Sequence, residues 1–210
     1  IRGANGWLVK KGAGTLELGA TGKCLDSTSS HAFTSLRVLE GVLMMPQHCG
    51  NLNFSYLNLD IAEGATLYTV AQNGAAAVVG SWAYTTVYGT ITGKGVLTNQ
   101  GQNMPLRPIK TETKLVFEGR ISGGVRLMVG SGVVLDLPNE TSDYTSTSGI
   151  QIEQNATLGL AKIGRDPSSG EPTESSSGKN PKFEVYSNGR ILYTGSGENN
   201  VFKSCIVRSS

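Results

Sequence analysis

The sequence predicts an all-β chain built as a parallel β-helix, a solenoid of stacked strand–turn–strand units, with a β-sandwich as the alternative fold. Three observations carry this expectation. Pairs of alternating apolar residues recur on either side of a short turn usually centred on Gly or Asn, and alternation at a period of two marks a half-buried strand. The turns return at a repeat-like interval. Gly41 to Gly64, Gly95 to Gly119 and Gly132 to Asn155 are nearly equal steps, of a length suited to stacked repeats. No stretch sustains apolar spacing at i, i+3, i+4 and i+7, so little helix is expected. Short strands with frequent turns also fit a sandwich. The whole-unit length of the repeat and the constant place of its turn favour the solenoid.

The elements follow in order. Leu16 and Leu18 alternate with Thr15 and Glu17 after the turn Gly12-Ala13-Gly14. Leu36 and Val38 lead through Glu40-Gly41 to Leu43 and Met45, and Leu57, Leu59 and Ile61 lead through Glu63-Gly64 to Leu67. Leu115 and Phe117 lead through Glu118-Gly119 to Ile121, and Leu127 and Val129 through Gly130-Ser131-Gly132 to Leu135 and Leu137. Ile150 and Ile152 lead through Gln154-Asn155 to Leu158 and Leu160, and Phe183 and Val185 through Asn188-Gly189 to Ile191 and Tyr193. The predicted core is therefore Leu16, Leu18, Leu36, Val38, Leu43, Leu57, Leu59, Leu115, Phe117, Leu127, Leu135, Leu137, Leu158 and Leu160. Residues 165–181 are rich in Pro, Ser, Gly and Glu and lack periodicity. They read as a flexible insertion in a single repeat domain spanning 1–210.

Composition agrees. Only 16% of residues are charged and there are 28 glycines, which suits short strands joined by tight turns. A net charge of +2 supplies no large field for nucleic acid or an anionic membrane, and no apolar run reaches membrane-spanning length. Cys24, Cys49 and Cys205 lack the paired spacing of a zinc site. The step from Cys24 to Cys49 is close to one repeat, so these two are expected on consecutive units. Because the chain begins with Ile1, neighbouring domains of a longer protein are expected.

Residues 7–45 resemble the autotransporter-associated β-strand repeat, also called the passenger-associated transport repeat. The likeness is carried by Trp7-Leu8-Val9-Lys10-Lys11-Gly12-Ala13-Gly14-Thr15-Leu16-Glu17-Leu18 and by Leu36-Arg37-Val38-Leu39-Glu40-Gly41-Val42-Leu43. Order, glycines and spacing agree over this stretch, which is under a fifth of the chain. His31-Ala32-Phe33-Thr34-Ser35 stands where the family has a Tyr-Thr-Gly-Gly-Thr connection. The resemblance implies a right-handed parallel β-helix at the surface of, or secreted by, a Gram-negative bacterium. It implies a stalk or adhesin-like passenger and no catalytic residue.

Candidate chemistry is sparse. Asp136, Glu140 and Asp143 are close in sequence, and glycoside hydrolysis needs two carboxylates across one bond. Asp136 sits between Leu135 and Leu137 and so faces away from the core. It reads as a solvated strand residue. Arg107, Lys110, Lys114, Arg120 and Arg126 form the densest basic region, where a lyase base would be sought; ordinary surface charge explains it as well. His31 and His48 lie near no patterned ligands. No metal and no cofactor is expected, and the chain is read as no enzyme. One aromatic strand stands out: Trp82, Tyr84 and Tyr88 share one face and Ala83, Thr85 and Val87 the other. An outward aromatic row suits stacking on sugar rings or another protein; the alternative, favoured by the usual burial of large aromatics, is that they cap a core edge or lie beneath the insertion loops. The expected function is a non-catalytic surface module binding polysaccharide, host-surface glycan or protein. A polysaccharide-active enzyme, or its accessory domain, using a groove along the solenoid is the alternative.

Overall fold

The structure is a computed structural model that describes residues 6–17, 33–46, 58–70, 90–106, 114–142, 150–161, 183–196 and 205–208. Among these the chain is all-β. In order the strands are β1 (Gly6–Lys10), β2 (Thr15–Glu17), β3 (Phe33–Val38), β4 (Val42–Pro46), β5 (Asn58–Ile61), β6 (Thr66–Val70), β7 (Ile91–Gly93) and β8 (Val96–Leu106). They continue as β9 (Leu115–Val116), β10 (Arg120–Val129), β11 (Val134–Leu137), β12 (Ile150–Ile152), β13 (Thr157–Leu160), β14 (Phe183–Tyr186), β15 (Arg190–Tyr193) and β16 (Cys205–Arg208).

Each strand pairs with the strand two places away, and every ladder among the described residues is parallel. Parallel partners cannot be joined by a tight hairpin and need a longer crossover. The tight turns therefore link strands of different sheets. The even strands form one eight-stranded sheet, while β1-β3-β5-β7 and β9-β11-β13-β15 form two four-stranded sheets. In the first half the even strand follows the turn; from β12 onward it precedes it. The changeover falls on β8 and β10, which are 11 and 10 residues long.

Register aligns like with like. Leu36 pairs with Leu59 and Leu59 with Ile91. Leu16, Leu43, Leu67, Leu97 and Ile121 form a second column, and Leu115, Leu135, Leu158 and Ile191 a third. A one-residue slip would turn each column outward, so burial of one face fixes the register. The buried side chains form one apolar cluster, each Leu contributing about 1.5–3 kcal/mol. Successive turns are tied by backbone bonds, as in Thr66 N–H to Gly41 O at 2.9 Å and Thr157 N–H to Val133 O at 2.8 Å.

Most of the predicted core is buried: Leu36, Val38, Leu43, Leu59, Leu115, Phe117, Leu127, Leu135, Leu137, Leu158 and Leu160. Leu16 is a correction, being 39% exposed. Among the described residues its strand is the edge of the eight-stranded sheet, with β4 on one side only. Leu18, Leu57, the 165–181 segment, Cys24 and Cys49 lie outside the described residues. Conversely, Lys10 is buried although the pattern does not place it in the core. It pairs with Val38 and so occupies an inward position. Its ammonium reaches the turn carbonyls, donating to Glu40 O at 3.0 Å, to Lys11 O at 3.1 Å and to Gly12 O. A buried charge is tolerable when its donors are satisfied in this way.

Candidate functional site

Three consecutive turns border a shallow concavity among the described residues. Gly132, Asn155 and Asn188 stand at the same place in their turns with φ of +73°, 59° and 57°. An L-residue meets a steric penalty there, which Asn tolerates best after Gly. Asn188 donates from Nδ2 to Asn155 Oδ1 at 3.2 Å. The residue before each is polar: Ser131, Gln154 and Ser187.

Beside these turns lies a cleft of about 240 Å³ lined by Ser131, Gln151, Glu153, Gln154, Tyr186 and Ser187. Gln151 and Tyr186 reach it because each alternates with buried strand neighbours, Ile150 and Ile152 for one, Val185 for the other. Glu153 is held by the preceding turn, Oε2 accepting from Ser131 N–H at 3.2 Å and from Ser131 Oγ–H at 3.1 Å. The volume is below the roughly 300–1,000 Å³ of drug-sized ligand pockets, so the cleft suits one small polar unit. Carboxylate, amide, hydroxyl and phenol together complement a hydroxyl-rich ligand. Of the lining residues Glu153 alone is a carboxylate, half of the pair that glycoside hydrolysis uses.

The other sequence candidates take different places. Asp136 faces away from the core as expected, but it is covered rather than solvated. Its side chain is 17% exposed, and Oδ2 lies 2.6 Å from Lys114 Nζ. Glu140 is bound as a staple, Oε1 accepting from Ser196 N–H at 3.3 Å and from Ser196 Oγ–H at 2.9 Å. Of the basic region, Lys114 is thus committed to Asp136, and Arg120 is exposed. Trp82, Tyr84 and Tyr88 lie outside the described residues, as do Asp143, Arg107, Lys110, His31 and His48. So does the side chain of Arg126. Among the described residues no three His, Cys, Asp or Glu side chains meet as a metal site, and no helix is long and apolar enough to cross a membrane.

The turns are legible in the sequence; the cleft is not. The polar residue preceding each turn centre was the available signal; only the register shows that Ser131, Gln154 and Ser187 align. Compared with known proteins, the chain matches no family model, no curated protein and no solved structure.

Proposed function

We propose that the chain is a non-catalytic module of a cell-surface or secreted protein. In this reading it is a right-handed parallel β-helix, stalk- or adhesin-like, whose outward faces bind glycans. The observation that carries the reading is the stack: eight parallel strands side by side in one sheet, joined by turns of repeated geometry. Such an array turns length into surface, because each added unit contacts only its neighbours. Parallel crossovers in one sheet are right-handed in about 98% of cases, which supports the handedness. The Leu and Gly pattern of residues 7–45 supports the kinship with autotransporter passenger repeats and the location outside the cell.

The cleft of Ser131, Gln151, Glu153 and Tyr186 is the proposed seat of one sugar unit. The aromatic row of Trp82, Tyr84 and Tyr88 is proposed as a further contact face. The test is a glycan array with the purified chain, combined with an assay for released oligosaccharide. Binding without product is expected. Appearance of reducing ends or unsaturated product would overturn the non-catalytic reading in favour of a polysaccharide-active enzyme. Antibody labelling of intact source cells checks the location, and confinement to the cytoplasm would refute it.

A further inference from the structure

We infer that the outward face of the β1-β3-β5-β7 sheet carries a site for an acidic saccharide, a sugar whose carboxylate is taken by Arg37. The inference rests on the glycan-binding reading for the class of molecule and gives it a site distinct from the cleft. Arg37 stands on β3 between buried Leu36 and Val38, so its side chain leaves the core. In the ladders it lies between Val9 and Asp60. Two groups fix it. Its Cζ lies 4.5 Å from the centroid of the Trp7 ring. Its Nε lies 2.7 Å from Asp60 Oδ2. Asp60 is itself held, Oδ1 accepting from Thr92 Oγ–H at 3.3 Å.

The guanidinium is thereby stacked on one side and paired on another, yet 43% of the side chain is exposed. The Nε atom is buried and its contact with Asp60 is an ion pair without hydrogen-bond geometry, so the guanidinium's hydrogen-bonding capacity is not used there. A planar guanidinium can take a carboxylate in two-point geometry, and a side chain already stacked and ion-paired has little entropy left to lose on binding. The surroundings select the rest of the ligand. Trp7, 47% exposed, offers an apolar flank for the C–H face of a sugar ring. Asn58 and Thr90 form a neutral polar row alongside, Thr90 Oγ–H donating to Asn58 Oδ1 at 2.9 Å. Arg37 and Asp60 together carry no net charge. That favours one carboxylate set among neutral hydroxyls over a dense polyanion.

The test is titration of the purified chain with sodium glucuronate, and separately with glucose, following the amide signals of Arg37 and Asp60 and the indole N–H of Trp7. Glucuronate is expected to move all three and glucose to leave them. The affinity should fall as NaCl rises, and Arg37→Gln should weaken it by about tenfold or more. Arg37→Lys should recover part of the loss. The wild-type shift map decides the site even if a variant folds poorly. Equal shifts with sodium sulfate would reduce the site to a bare anion contact, and stronger competition by polyglutamate would assign it to an acidic protein; either overturns the inference. If sugars shift only Ser131 and Tyr186, the inference falls and the glycan-binding module stands. If no sugar binds anywhere, both fall.

Discussion

Gly159 lies directly opposite Asp136 in the β11–β13 ladder, and a Cβ on Gly159 would come 2.5 Å from Asp136 Oδ1. The carboxylate fills the space the missing side chain leaves. Oδ1 is buried there without a hydrogen-bond partner, while Oδ2 meets Lys114.

Gly159→Ala is therefore expected to drive the carboxylate off the sheet and break its contact with Lys114. Because the obstructing atom is the end of a side chain that can swing away, the cost stays near about 1 kcal/mol, the low end for overpacking. Adding Asp136→Ala should remove most of that penalty. A double-mutant cycle in urea measures the coupling, and a coupling of zero would mean the two residues do not compete for the space.

Lys10→Met keeps volume at an inward position and removes the ammonium from three turn carbonyls. The expected loss is roughly 1.5–3 kcal/mol, the range for hydrogen bonds to a charged group. It should appear as a lower denaturation midpoint with an unchanged slope. A neutral or stabilising result would show that desolvating the charge offsets all that its bonds contribute.

Position along the stack should govern the cost of truncating a leucine. Leu135→Ala, at 0% exposure with neighbours in β9 and β13, should cost about 2–5 kcal/mol. Leu16→Ala, in an edge strand, should cost less than about 1 kcal/mol, since less area leaves water. Hydrogen exchange should show lost protection at Leu115 and Leu158 for the first variant, because stacked units share stability with their neighbours. Equal costs at the two sites would contradict the exposure of Leu16.

At the turns, Asn188→Ala should destabilise by about 1 kcal/mol, because alanine takes up the left-handed backbone less readily. Asn188→Gly should be close to neutral, trading the exposed bond to Asn155 for relief of backbone strain. Thermal melts of the pair check this; an alanine variant as stable as the glycine one would refute it.

Much of the fold was legible because it is written in short-range pattern. The alternation of Leu36 and Val38 with Arg37 fixes which face is buried, and Glu40-Gly41 fixes where the chain turns. The step from Gly41 to Gly64 in the sequence equals the step from Leu36 to its ladder partner Leu59. What the pattern could not show was the end of a column. Leu16 obeys the same alternation as Leu43, yet among the described residues only Leu43 has ladder neighbours on both sides. Lys10 misled for the opposite reason: a charged residue reads as exposed unless its partners, here three turn carbonyls, are known. The site was less legible than the fold. Ser131, Glu153 and Tyr186 come from three successive units of the sequence, as do Trp7, Arg37 and Asp60. Outward side chains meet only through register, which sequence spacing alone does not supply.

The parallel register also bears on how the molecule is made. Apolar ladder partners are never far apart along the chain. The step from Leu115 to Leu135 is among the short ones, and that from Ile150 to Phe183 among the long. Closing the longer loop instead of the shorter costs only about 0.4 kcal/mol of chain entropy, since the penalty grows with the logarithm of length. Each unit can therefore dock as soon as its own short length of chain is free, using the strand already in place as a template. Assembly can follow the chain from one end during synthesis, without waiting for a distant segment to arrive.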